Sequence, residues 1–306
     1  ALLTVDKLSK TYQATSKKAV KDISFAVDHG DIVAFLGPNG AGKTTTLKMI
    51  LNLVSPDHGK VYFEGKETTN DNLLLLKNTG VLLEGSRNMF WSLSPLENFI
   101  YWGEQRGLSK AKAERSGLLL MKKFGLLDKK DTTITSLSRG MQQIVGICCA
   151  MIAQPKLLIL DEPTLGLDLK SAQIVTNILQ ELSANGVGIL ITTHQLDFAQ
   201  KVAQKILLIN HGKLVFSDNV KESLARLNKQ TLLELTLTRS LTLEEQEEIS
   251  TYCNLTKKQM NCYQLEVKSQ KALPQVFNLL GKLPVRQIQT KERNLEDVFE
   301  YYTEEG

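Results

Sequence analysis

The chain has 306 residues, enough for one large domain and a small one, and its 42% hydrophobic and 23% charged content is ordinary for a globular protein. A net charge of +4 permits contact with anionic lipid but gives no argument for nucleic acid as a partner. No apolar run approaches the ~18 residues of a membrane-spanning helix, and no secretory leader is legible. The four cysteines lack a metal-binding spacing. Cys148 and Cys149 read as packing thiols on one helix. Cys253 and Cys262 read as reduced thiols that a hairpin could bring together.

Taken in chain order, residues 2–36 and 59–64 read as short strands, with EGK as a hairpin signal. DIVAFL is an apolar strand running into GPNGAGKT, and KTTTLKMILNL is an amphipathic helix leaving it. That loop fits G-x-x-x-x-G-K-[ST]. Gly37, Gly40 and Gly42 lack Cβ, so the backbone through Pro38, Asn39 and Ala41 can curl with its N–H groups around an anion. Lys43 adds a point charge for β- and γ-phosphates, and Thr44 a hydroxyl for Mg²⁺. The helix N-terminus that carries Thr45 then faces the phosphates.

TGVLLEGS reads as a buried strand ending in Glu84 at the ligand edge of a sheet, where a carboxylate oxygen can ligate Mg²⁺. The following SRNMFWSLSPLENFIYWGEQRG holds both tryptophans, Trp91 and Trp102, with Phe90, Phe99 and Tyr101; most are expected to pack inside. Residues 108–153 read as mostly helical. Within them SLSRGMQQIVGICCAMIAQ places Ser138 and Gly140 at a helix start, where a hydroxyl and free N–H groups can bind phosphate. KLLILDE is an apolar run without alternation, as in a strand buried on both faces of a parallel sheet. It ends in Asp161, which can hold Mg²⁺, and Glu162, which can polarise an attacking water.

Strand and helix then alternate: SAQIVTNILQELSAN, VGILITT, DFAQKVAQ, KILLI, a hairpin at HGK into LVFS, and the helix VKESLARL. From Thr231 the pattern changes. LLELTLT and YQLEV alternate as half-buried strands do. LTLEEQEEIS and KALPQVFNLLGKL read as helices, the second with Pro274 in its first turn. VRQIQT is a strand, and NLEDVFEYY a helix with an Asn cap. Strand, helix, one or two strands, helix, strand makes a small α+β domain, with a ferredoxin-like arrangement as a candidate.

GPNGAGKT, LSRGMQQ and LLILDE, in that order, resemble the ATP-binding cassette (ABC) superfamily, from about Leu2 to about Leu227. The resemblance implies an α/β fold: a P-loop ATPase with a mixed sheet core, antiparallel β and helical subdomains. It places this nucleotide-binding domain at 1–228, its helical subdomain at about 86–153, and an accessory α+β domain at 229–306. Tyr12 is similar to the family's adenine-stacking aromatic, and Val20 to its apolar neighbour. Ser138, Arg139, Gly140 and Met141 stand in the signature that serves a partner's ATP; Met141 replaces the usual Gln. Asp168 in PTLGLD resembles the carboxylate that communicates across the dimer, and His194 the switch histidine that acts with Glu162. Glu84 stands where most relatives carry a Gln.

What the resemblance implies for function is an ATPase that uses ATP and Mg²⁺ and powers a membrane exporter. It would work as a head-to-tail homodimer or paired cassette, bound to a transmembrane permease subunit at the cytoplasmic face of the cell membrane. Export is favoured because the C-terminal pattern contains helices, unlike the β-barrel of many importer ATPases. A soluble ATPase of the same superfamily, or a regulatory module that holds ATP without turnover, are the alternatives.

Overall fold

The computed structural model describes residues 1–12, 17–69, 72–84 and 89–304; for Lys17, Leu227 and residues 300–304 it describes the backbone alone. Apolar runs without alternation set its centre. β3 (Ile32–Leu36), β7 (Leu157–Asp161) and β8 (Gly188–Thr193) are buried at every position, as strands covered on both faces must be. β6 (Thr79–Leu82), β9 (Lys205–Asn210) and β10 (Lys213–Asn219) complete a six-stranded sheet of order β10-β9-β3-β8-β7-β6. Its pairs are parallel except β9 with β10. The β9–β10 turn is His211–Gly212, with φ of 46° and 79°, the left-handed pair that matches hairpin twist.

A second, four-stranded antiparallel sheet has the order β2-β1-β4-β5. Its strands are β1 (Leu3–Tyr12), β2 (Lys17–Val27), β4 (His58–Phe63) and β5 (Lys66–Glu67). The EGK signal is its β4–β5 turn. Val5, Ile23, Val27 and Phe63 from this sheet share one core with Phe35, Ile159 and Leu190 of the other. Truncating such a leucine to alanine costs about 2–5 kcal/mol.

Helices α1 (Lys43–Ile50), α2 (Leu73–Asn78), α3 (Pro95–Gln105), α4 (Lys110–Lys123), α5 (Arg139–Met151), α6 (Leu169–Ala184) and α7 (Leu196–Val202) connect these strands. α3 starts on a capping box in which Ser94 and Glu97 exchange hydrogen bonds, worth about 1 kcal/mol. The aromatics around it correct an expectation. Of Phe90, Trp91, Phe99, Tyr101 and Trp102, Phe99 alone is buried; Phe90 and Tyr101 are 42% and 39% exposed. The inward positions of α3 are taken by Pro95, Asn98, Phe99 and Gly103, which leaves Tyr101 on the outer side. There it packs edge-on against Phe90 and Trp102. A second correction concerns β6. Its pairing ends at Leu82 opposite Leu160, so Glu84 lies past the strand rather than at its last position.

By internal contacts the chain divides into two compact units, the larger on Ala1–Val220 and the smaller on Lys221–Tyr301. That division groups nearly all of α8 (Val220–Leu227), read from sequence as the end of the larger part, with the smaller unit. The smaller unit runs β11 (Leu232–Leu237), α9 (Leu243–Tyr252), β12 (Cys253–Gln259), β13 (Cys262–Val267), α10 (Leu273–Leu280), β14 (Val285–Lys291) and, as far as Tyr301, α11 (Leu295–Glu304). Two strands thus stand where the pattern left one or two. The sheet order β12-β13-β11-β14, antiparallel throughout, is the split βαββαβ arrangement of ferredoxin-like domains. Leu233, Leu235, Tyr263 and Leu265 face a helical layer that supplies Ile249, Val276 and Leu280. Asn294 accepts from the Glu296 and Asp297 amides, the cap read from sequence. Cys253 stands opposite Val267 and Cys262 opposite Gln259, at the two ends of one hairpin, so these thiols do not meet.

Candidate active site

The phosphate loop is held by its own chain. A Cβ on Gly37 would lie 2.3 Å from the Ile209 carbonyl oxygen, and one on Gly42 2.4 Å from that of Ala19. Both obstacles are backbone, and Gly42 also sits at φ 114°, so neither position accepts a side chain without moving the loop. α1 leaves the loop with no side-chain cap and no acidic residue in its first turn. Its free N–H groups and dipole therefore favour an anion. Lys43 is buried, and its Nζ donates to the carbonyls of Gly37 (2.6 Å) and Pro38 (3.3 Å). Burial pushes its ammonium below the ordinary value, while Glu162, Asp161 and Glu84 pull it back up.

Asp161 ends β7 and is 2% exposed. Its Oδ2 accepts from Thr44 Oγ1 at 3.1 Å and from the Glu84 amide at 3.4 Å; its Oδ1 accepts from Thr192 Oγ1. The carboxylate is thereby fixed between the start of α1 and the end of β8. Glu162 follows at φ 50°, a left-handed conformation that costs a non-glycine residue about 1 kcal/mol or more. Its amide bonds Thr192 through the carbonyl (3.1 Å) and hydroxyl (3.2 Å) oxygens. Its Oε1 lies 3.0 Å from His194 Nδ1. Its Oε2 is sealed from solvent and lacks a hydrogen-bond partner among the described residues. A buried carboxylate oxygen without a donor is costly, so the site holds a standing demand for one.

These residues converge on a cleft of ≈ 420 Å³ lined by Tyr12, Asn39, Gly40, Gly42, Lys43, Thr44, Thr45, Glu84, Asp161 and Glu162. Tyr12 lies at its rim, 38% exposed. Val20 sits in the core and its neighbour Ala19 lines the cleft instead. Ala41 is buried beneath the loop, where its amide donates to the Pro38 carbonyl. The signature residues stand apart: Ser138, Gly140 and Met141 are not among the residues lining this cleft. Ser138 caps α5, accepting from the Met141 amide at 3.3 Å, and both Ser138 and Arg139 are exposed. Asp168 caps α6, and the hydrogen bonds from Ser171 hold its carboxyl below the usual range.

Two participants escape a motif reading. Thr192 braces both carboxylate residues. Gln143, on α5, donates to the Glu162 carbonyl oxygen at 3.3 Å and so ties the signature helix to the acidic pair. Gln143 lies one turn beyond Ser138 in LSRGMQQ; that spacing was the only available signal for it.

Residues 20–165 match the family model described as ABC transporter. The chain is 32% identical over 217 residues to the ABC transporter ATP-binding protein NatA of Bacillus subtilis (strain 168), covering 70% of this chain and 88% of that one. It is 30% identical over 240 residues to the linearmycin resistance ATP-binding protein LnrL of the same organism, covering 77% and 75%. Among solved structures, the ATP-binding subunit of an ABC transporter superposes with a TM-score of 0.67 at 31% identity, covering 74% and 92%. A dimeric post-hydrolysis state of the cassette MJ0796 bound to ADP and Pi gives 0.65 at 25%, covering 71% and 98%. The chain belongs to the ABC transporter ATP-binding cassette family. It is an ATPase subunit of a transporter: it binds ATP or ADP, hydrolyses ATP to power transport, and is of a kind that forms dimers and works with transmembrane permeases. Among the described residues no helix is long and apolar enough to cross a membrane.

Proposed function

We propose that the chain powers an exporter from the cytoplasmic face of the membrane, bound there to a transmembrane permease. Two cassettes, identical or paired, face each other head to tail. Each holds ATP in its own phosphate loop, and the other closes the site with Ser138, Arg139, Gly140 and Met141. Tyr12 and the Ala19–Val20 segment flank the adenine. Lys43 exchanges its carbonyl partners for phosphate oxygens, and the α1 amides take the remaining charge. Glu162 receives the proton of the attacking water while His194 fixes its other oxygen. Asp168 acts at the contact between cassettes. Export is supported by relatives that include a linearmycin resistance protein. The exposed Phe90 and Tyr101, packed on the half-buried Trp102, suit a short apolar segment of the permease.

Mg²⁺ fits the residues present. The Thr44 hydroxyl and Asp161 Oδ2 are hard oxygens 3.1 Å apart at the loop, and Glu84 lines the same cleft. These three would hold the cation, which when bound supplies positive charge against the β- and γ-phosphates.

The observation that carries the hydrolytic reading is the Glu162 carboxylate, oriented by His194 through one oxygen and unpartnered at the other, on the wall of a phosphate cleft. Glu162→Gln should keep ATP binding and trap an ATP-bound dimer. Turnover should fall by about 10²-fold or more, the usual worth of a positioned base. Near-normal phosphate release by this variant removes Glu162 from the catalytic role.

A further inference from the structure

The charged side chains lining the phosphate cleft are Lys43 against Glu84, Asp161 and Glu162. The three carboxylates are not equivalent. Both Asp161 oxygens accept hydrogen bonds, and Glu162 is engaged with His194. Glu84 is exposed, and its carboxylate has no hydrogen-bond or ion-pair partner among the described residues. It is nevertheless anchored through its backbone, whose amide donates to Asp161 Oδ2 at 3.4 Å. The side chain is therefore placed at the cleft while remaining free to act there. It also lines the adjoining cleft of ≈ 380 Å³, with Trp91, Arg139 and Gln143. Its field reaches Lys43, the cation of the loop, and helps hold that ammonium charged.

We propose that Glu84 biases nucleotide binding toward the metal chelate: its charge weakens the cleft's hold on a bare triphosphate and strengthens its hold on the complex with a divalent cation. This rests on the reading of the cleft as the nucleotide site. The electrostatics follow from sign. A triphosphate brings several negative charges to a wall that already carries more carboxylates than cations, and Glu84 is the carboxylate with no internal donor to absorb its charge. A divalent cation between phosphate and carboxylate reverses the interaction from repulsion to attraction. The cleft offers the cation only the Thr44, Asp161 and Glu84 oxygens, fewer than the octahedral set Mg²⁺ takes. The metal must come with the phosphates, which is how Mg²⁺ is usually bound. Because Glu84 is exposed, water and salt weaken its field, and the effect amounts to about fivefold to tenfold in affinity.

The test is equilibrium binding of ATP to the full chain by calorimetry, in excess Mg²⁺ and in EDTA at matched ionic strength. Wild type, Glu84→Gln, Glu84→Ala and Glu84→Asp are compared. The quantity read is the Kd in EDTA divided by the Kd in Mg²⁺. It should fall about fivefold or more in Glu84→Gln and Glu84→Ala, mainly through tighter binding in EDTA, and stay near the wild-type value in Glu84→Asp. A ratio that is unchanged, or that rises, in both neutral variants overturns the proposal. Wild-type protein that binds ATP in neither buffer would instead overturn the reading of the cleft itself. Thermal unfolding of the nucleotide-free variants should match wild type, since the side chain is exposed and has no hydrogen-bond or ion-pair partner among the described residues.

Discussion

Gly42 and Gly140 both stand at the start of a helix that the site depends on, and their surroundings differ. A Cβ at Gly42 would strike the Ala19 carbonyl oxygen at 2.4 Å, with Ile209 at 3.2 Å behind it. A Cβ at Gly140 would find Leu167 at 3.5 Å and Ser171 at 3.9 Å, which is ordinary contact. The loop half of the site is therefore dictated by its own fold, down to the absence of side chains. The signature half leaves Ser138 and Arg139 exposed, and the space beside Gly140 has room for a group arriving from outside. In the proposed dimer, one half of the machinery holds the ligand and the other is offered to a partner.

The largest expected effect sharpens this contrast. Gly42→Ala combines a backbone clash with an unfavourable φ, so it should destabilise the chain by roughly 3 kcal/mol or more and abolish ATP binding. Gly140→Ala should leave stability within about 0.5 kcal/mol, because nothing inside the chain opposes the new methyl group. Denaturant unfolding of both variants measures the difference, and equal losses would erase it. Next in size, Ser138→Arg should stop hydrolysis while monomer ATP affinity stays within about twofold of wild type, since the larger side chain blocks only the face offered to a partner. A strong affinity loss in the monomer would place Ser138 in its own chain's site. Thr192→Val should then cost about 1–3 kcal/mol and lower turnover, because it removes the hydroxyl that bonds Asp161 and the Glu162 amide. A silent substitution there would mean that other contacts hold the acidic pair. Smallest of all, a chain ending at Asn228 should keep its ATP affinity, since every loop and carboxylate residue of the site precedes that point. Its loss would show that the smaller unit takes part in the fold of the larger.

The strand–loop–helix around Gly37–Thr44 was legible because apolar run, glycine spacing and helical periodicity agree locally. So was Asp161–Glu162 at the end of an unbroken apolar strand. What could not be read were contacts set by sheet order. Thr192 reaches Asp161 only because β7 and β8 are neighbours in parallel register, Asp161 opposite Thr192. Beside Tyr12 the cleft is lined by Ala19, while Val20 packs under the loop near Gly42, since a single-residue step along a strand reverses the face a side chain takes. α2 went unread because LLLL carries no period. β12 was left open because CNLTKKQ, at the sheet edge, has little apolar alternation to mark it. The aromatics around α3 were expected inside on chemistry alone. The inward positions went to Asn98 and Phe99, and Asn98 earns its place through bonds to Phe90 and Ser94.

The central claim is that a working site joins the loop of one chain to the signature of another. It is tested most directly by mixing two inactive variants. Lys43→Ala lacks a competent loop but keeps Ser138; Ser138→Arg keeps the loop but cannot serve a partner. A mixed dimer of the two contains one intact composite site. Equal amounts of purified Lys43→Ala and Ser138→Arg protein should therefore regain ATPase activity absent from either alone, up to roughly a quarter of wild type for random pairing. A mixture as inactive as its two components, while the wild-type protein turns over under the same conditions, would contradict the account.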